Sequence, residues 1–75
     1  MKSVLITGGA SGLGWELSKV FFERGDRVLL VDRDTAGLAA RASELNSDRI
    51  ATLSCDLTDD NAISAIKSAV ENELG

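Results

Sequence analysis

The chain has 75 residues, which limits it to one small domain burying only about 60% of its unfolded surface, and its 44% hydrophobic and 27% charged residues are ordinary for a globular protein. A net charge of −4 with basic residues scattered singly excludes a phosphate-neutralising face for nucleic acid. No apolar run approaches the roughly 18 residues that cross a bilayer and no signal-peptide core opens the chain, so no membrane partner is expected, and the single Cys55 fits a reducing, cytoplasmic setting.

Val4, Leu5 and Ile6 form an unbroken apolar run, the pattern of a strand buried on both faces of a parallel sheet, and a first strand is predicted over 2–7. Three glycines, Gly8, Gly9 and Gly12, end it. From Leu13 the apolar spacing becomes helical. A helix is expected from Ser11 or Gly12 to about Arg24, with Leu13, Leu17, Val20 and Phe21 inward and Gly25 closing it. Glu16, Lys19 and Glu23 fall outward at ion-pair spacing. Trp15 lies beside the glycine loop and is expected as a half-exposed surface aromatic, with a place at a ligand's edge as the alternative. Residues 27–32, R-V-L-L-V-D, form a second buried strand. One helix between two strands implies a right-handed crossover, so the two are parallel and adjacent.

Asp34 or Thr35 caps a second helix running to about Leu45, with Leu38, Ala42 and Leu45 inward, and Asn46, Ser47 and Asp48 turn the chain. A third strand over 49–55 is less uniformly apolar and suits a sheet edge. Thr58 is expected to cap a third helix, with Asp59 and Asp60 in its first turn and Ile63, Ile66, Val70 and Leu74 as its stripe. The whole chain, 1–75, reads as a single βαβαβα unit of the α/β class, a three-stranded parallel sheet of order 3-2-1 with three helices.

Strand, glycine loop and helix in this order make a phosphate-binding turn. Glycines leave no Cβ between main chain and ligand, and the first free N–H groups of the helix, with its dipole, face an anion. The spacing does not fit G-x-G-x-x-G, since positions 8, 10 and 13 are Gly, Ala and Leu. It fits T-G-x-x-x-G-x-G through Thr7, Gly8, Gly12 and Gly14. Asp32 ends the second strand beside this loop. A carboxylate there accepts hydrogen bonds from adenosine ribose hydroxyls, or stands only as a solvated strand-end acid. Its charge disfavours a 2′-phosphate and favours NAD, whereas Arg33 next to it is able to pair with that phosphate and keeps NADP as the alternative.

The run T-G-G-A-S-G-L-G resembles the glycine motif of the short-chain dehydrogenase/reductase family, and the resemblance spans all 75 residues. It implies a Rossmann-like fold and places Asp56 and Leu57, in C-D-L-T, around the adenine; the plainer alternative for Asp56 is an acid fixing the turn before Thr58. Ser11 serves the pyrophosphate, the helix cap, or both. The expected cofactor-binding set is therefore Thr7, Gly8, Ser11, Gly12, Leu13, Gly14, Asp32, Arg33, Asp56 and Leu57. Cys55 reads as a small strand residue rather than a nucleophile, and with no histidine and one cysteine no metal site is expected.

Members of the resembled family continue into a fourth strand, an Asn-Asn-Ala-Gly segment, a catalytic serine and a Tyr-x-x-x-Lys pair, whose tyrosine is the general acid/base. This sequence has no tyrosine. The resemblance thus implies the adenosine-pyrophosphate half of an oxidoreductase with no catalytic residues of its own. A free-standing nucleotide-binding module and a truncated product with a vestigial site are the alternatives. The first strand, with no fourth beside it, is expected to present an apolar edge and to draw two or more copies into a homodimer or higher oligomer.

Overall fold

The computed structural model describes residues 2–74. Strand β1 (Ser3–Thr7) leads to helix α1 (Gly12–Glu23), strand β2 (Arg27–Asp32), helix α2 (Thr35–Leu45), strand β3 (Ile50–Ser54) and helix α3 (Ala62–Ala69), which runs on into a wider π-type segment at Val70–Leu74. The strands are parallel and lie in the order β1-β2-β3. This is the expected 3-2-1 sheet of an α/β, Rossmann-like half.

The central strand carries the core because it is covered on both edges and both faces. Val28, Leu29, Leu30 and Val31 are all fully buried, as the unbroken apolar run requires. The register sets Ile6 beside Leu30 and Val28 beside Ile50. These residues share one face, where Val28 and Leu30 cluster with Ala10, Trp15 and Leu38, and Ile6, Ile50, Phe21, Phe22 and Leu45 pack around them. Helices α1 and α2 therefore cover the same side. On the other side, Ser3 Oγ donates to the Leu74 carbonyl at 3.4 Å and Arg27 Nη1 to the Glu73 carbonyl at 3.3 Å, drawing the end of the third helical segment across the sheet.

Helix ends follow local chemistry. Gly25, at φ +90°, turns the chain out of α1, with the Gly25 N–H bonded to the Phe22 carbonyl and the Asp26 N–H to that of Phe21. Asp34 caps α2 by accepting from the Gly37 N–H at 2.9 Å, and Asn46 closes it in the left-handed region at φ 44°. Arg49, just before β3, donates to the carbonyls of Phe22 and Asp26 at 3.0 and 2.9 Å with its guanidinium over the Phe22 ring, so β3 is pinned to the turn that follows α1. No helix among the described residues is long and apolar enough to cross a membrane.

Three expectations are corrected. The buried arc of α1 is Gly14, Trp15, Ser18, Phe21 and Phe22 rather than the leucine stripe: Leu13 is 74% exposed, Leu17 41% and Val20 53%, whereas Ser18 is fully buried. The helix must turn its small residues to the sheet, since it starts against the strand end, and Ser18 satisfies its hydroxyl within the helix by donating to the Gly14 carbonyl at 2.7 Å. Trp15 is consequently a core residue, 4% exposed, and not a surface aromatic. Finally, α3 begins at Ala62 with Asn61 at its cap, three residues later than expected, because Thr58 is engaged by Asp56 and the Asn61 N–H by the Asp59 carboxylate, which makes turns of this stretch. Ile63, assigned to the inward stripe, is exposed.

Candidate functional site

The C-terminal ends of β1, β2 and β3 come together at one rim of the sheet, and the loops that follow them form the site. After Thr7 the chain leaves β1 through Gly8 at φ +65° and enters α1 through Gly12 at φ +57°, both conformations that a side chain strains. Gly9 sits against Leu30 and donates its N–H to the Val31 carbonyl at 3.0 Å, tying the loop to the central strand. Gly14 is required for a different reason. A Cβ there would collide with the carbonyl of Gly8, so the first turn of α1 rests directly on the loop.

Ser11 occupies the helix cap with an extended backbone, but its hydroxyl makes no capping bond. The first bond of the helix is the Trp15 N–H to the Ser11 carbonyl, at 3.4 Å. Among the described residues, the N–H groups of Ser11, Gly12, Leu13 and Gly14 find no acceptor. Four orphan donors at a helix start, with glycines keeping the approach open, make an anion cradle.

Asp32 stands at the end of β2 with both oxygens engaged. Oδ2 accepts from the Ala10 N–H at 3.1 Å, and Oδ1 from the Asp34 N–H at 3.0 Å. The Asp34 N–H is the largest cause holding this carboxyl below its ordinary value; partial burial opposes it, and the Ala10 N–H and the neighbouring Arg33 reinforce it. A carboxylate oxygen has two lone-pair sites, so each still accepts a second donor. Asp56, after β3, is likewise lowered, chiefly by the Thr58 hydroxyl, which donates to its Oδ1 at 2.7 Å, then by the Thr58 N–H at 2.9 Å. The Cys55 N–H to Asp32 carbonyl bond, 2.9 Å, joins the ends of β2 and β3 beneath the two acids.

Between them opens a cleft of about 260 Å³, with Gly8, Asp32, Arg33, Asp56 and Leu57 around it and Val31 and Cys55 beneath. Five of the residues expected from sequence to bind a cofactor thus share one concave surface. Thr7, Ser11, Gly12, Leu13 and Gly14 do not line it; they belong to the adjoining loop and helix start. Leu13 contributes its backbone N–H there while its side chain points to solvent. A second hollow of about 230 Å³ lies on the other side of Cys55 and Asp56, toward Asn61 and Ala65.

Sequence reasoning missed two residues that shape this region, Ala10 and Arg41. Ala10, the buried centre of the loop, has its N–H held by Asp32 and its carbonyl by Arg41 Nε at 3.0 Å. The Arg41 guanidinium lies 4.8 Å from the centre of the Trp15 ring and pairs with Glu44 at 3.2 Å. Trp15 was legible as a neighbour of the loop, but nothing in the sequence ties Arg41, a single basic residue within an alanine-rich helix, to a loop about thirty residues earlier.

A model of the short chain dehydrogenase family matches residues 2–75. Similar proteins include D-threitol dehydrogenase of Mycolicibacterium smegmatis, 36% identical over 99% of this chain and 29% of that protein, and galactitol 2-dehydrogenase (L-tagatose-forming) of Cereibacter sphaeroides, 36% identical over 88% of this chain and 26% of that one. Among solved structures, 3-ketoacyl-(acyl-carrier-protein) reductase of Brucella melitensis, complexed with NADH, superimposes with a TM-score of 0.85 at 33% identity, over 96% of this chain and 30% of that chain. The chain thus spans less than a third of the length of these relatives. With the family model matching from residue 2 to residue 75, the chain belongs to the short chain dehydrogenase family.

Proposed function

We propose that this chain binds the adenosine-pyrophosphate half of a nicotinamide dinucleotide, as the cofactor-binding portion of an oxidoreductase. The observation that carries the reading is the juxtaposition of a four-donor helix start with an open cleft between Asp32 and Asp56. The first suits a pyrophosphate and the second an adenosine. Thr7, Gly8, Ser11, Gly12, Leu13 and Gly14 form the phosphate end of this site. Asp32 takes the ribose hydroxyls, and Arg33, Asp56 and Leu57 border the adenine. The sequence contains no tyrosine, so the phenol acid/base of the family is not among these residues, and their share of the reaction is to hold the cofactor.

NAD is the cofactor in this reading, because the lowered, ionised Asp32 repels a 2′-phosphate. Arg33 favours NADP as a second reading: it lines the same cleft and its charge acts on both Asp32 and Asp56. A cytoplasmic setting and pairing of copies along the outer edge of β1 complete the proposal. Calorimetry tests it. NAD and ADP-ribose should bind within a few-fold of each other near millimolar, about −4 kcal/mol, since nothing in the site addresses a nicotinamide. NADP should bind more weakly than NAD. No heat with NAD, ADP-ribose or AMP would remove the proposal.

A further inference from the structure

Arg41 comes from α2, outside the glycine loop and outside the cleft, yet it makes the one side-chain bond to a carbonyl of the glycine loop seen among the described residues: Nε to Ala10, 3.0 Å. Resting on the nucleotide-binding reading, we infer that Arg41 is a positioning residue for the pyrophosphate, acting through the Ala10–Ser11 peptide. The geometry of the peptide bond carries the argument. No peptide among the described residues is cis, and a trans peptide is close to planar, so a carbonyl and the N–H that follows it point in opposite directions. With the Ala10 carbonyl held toward Arg41, the Ser11 N–H must point away from α2, on the open side of the loop. That N–H is the first of the four orphan donors.

The neighbouring peptide is fixed in the same manner. Asp32 Oδ2 takes the Ala10 N–H, which sets the Gly8–Ala10 stretch against the sheet. The two holds come from opposite charges on different elements, and Ala10 lies between them, 4% exposed. Glycines on both sides would otherwise leave the Ala10–Ser11 peptide free to rotate as a unit, carrying the Ser11 N–H out of line. Arg41 is itself fixed. Its guanidinium stacks on Trp15, which is buried in the core, and is paired with Glu44 on its own helix. A rigid aromatic floor thus orients the side chain that orients the loop.

Arg41→Met tests this, because methionine keeps an apolar, polarisable stem over Trp15 and removes the donor. Two measurements are made on the full chain by amide-resolved NMR. In the free protein, the residual dipolar coupling of the Ser11 N–H should change in R41M while those within β2 stay as in the wild type. In titrations, ADP-ribose should bind R41M about tenfold more weakly, the loss expected for one charge-assisted hydrogen bond, while adenosine, which lacks the phosphates, stays within about twofold. Equal losses for both ligands, or an unchanged Ser11 coupling, would overturn the inference. If R41M does not fold, Arg41→Lys, which keeps charge and a donor without the planar stack, carries the same comparison with a loss of about threefold. If the wild type binds neither ligand, the nucleotide reading fails, and the Ser11 coupling alone then decides whether Arg41 sets the loop.

Discussion

Replacing Gly14 by alanine sets two effects of opposite sign against each other. Gly14 lies in the first turn of α1, where helix propensity alone makes alanine better by about 1 kcal/mol. The added methyl, however, would collide with the Gly8 carbonyl oxygen, come to 2.7 Å from its carbon, and sit 3.2 Å from the Thr7 carbonyl oxygen. All three obstacles are main chain, which cannot rotate aside, so the cost lies at the upper end of the usual overpacking range, about 3 kcal/mol. The net loss is about 2 kcal/mol, a fall in melting temperature of about 8–16 °C for a domain of this size. Thermal melts followed by circular dichroism measure it. Gly12→Ala is the control: nothing lies within 4 Å of its added Cβ, and the strain of φ +57° alone should cost about 1 kcal/mol. A G14A protein melting at or above the wild type would refute the claim that α1 rests on the loop, and with it the placement of the orphan donors.

Other outcomes follow from the same structure. Trp15→Ala should cost about 3–5 kcal/mol, comparable with the entire stability of a chain this short, and leave it unfolded in a thermal scan, whereas Trp15→Phe should still melt cooperatively. Because the Asp32 carboxyl is lowered in the folded state, its stabilising contribution is complete above its ordinary value of 3.8 and drains away as pH falls through the lower folded value. Urea midpoints at about pH 6 and about pH 3 should therefore differ less in Asp32→Asn than in the wild type, the remaining difference including that of Asp56. Sedimentation at low micromolar concentration should show a homodimer or larger species if copies pair along β1; a well-folded monomer would count against that pairing.

The strands and the loop were legible because their signals are local. Val4 to Ile6 and Val28 to Val31 have no polar break, and a glycine needed for close approach stands out at a strand-to-helix junction. Asp32 was legible by the same logic, since a parallel 3-2-1 sheet brings the end of β2 beside the end of β1. The inward face of α1 was not. Periodicity gives most weight to large apolar residues, and Leu13, Leu17 and Val20 make a clean stripe. Their arc lies about 120° round the helix from the one that Gly14 and Ser18 present to the strands. Closeness of backbones, not apolar mass, decides which face turns in, and a buried serine that bonds to its own helix leaves no mark in hydropathy. The late start of α3 has a similar cause, because Thr58 and Asn61 both bond to acids two residues earlier and spend the stretch as turns. Arg41 was invisible for a third reason: its partner is a backbone carbonyl, which any sequence offers everywhere.

The central place of β2 also has a consequence for the order in which the chain assembles. Each residue from Val28 to Val31 meets a β1 partner about two dozen positions earlier and a β3 partner slightly fewer positions later. Loop-closure entropy varies so slowly with length that it does not distinguish the two pairings. The side chains do. Val4, Leu5 and Ile6 bring three apolar residues to β2, whereas Thr52 and Ser54 interrupt β3. The β1–α1–β2 unit is accordingly the one to form first, and it is also the first to leave the ribosome. In that order the glycine loop and the strand-end acid gain their frame from β1, α1 and β2, and Arg41 docks on a loop whose outline those elements already draw.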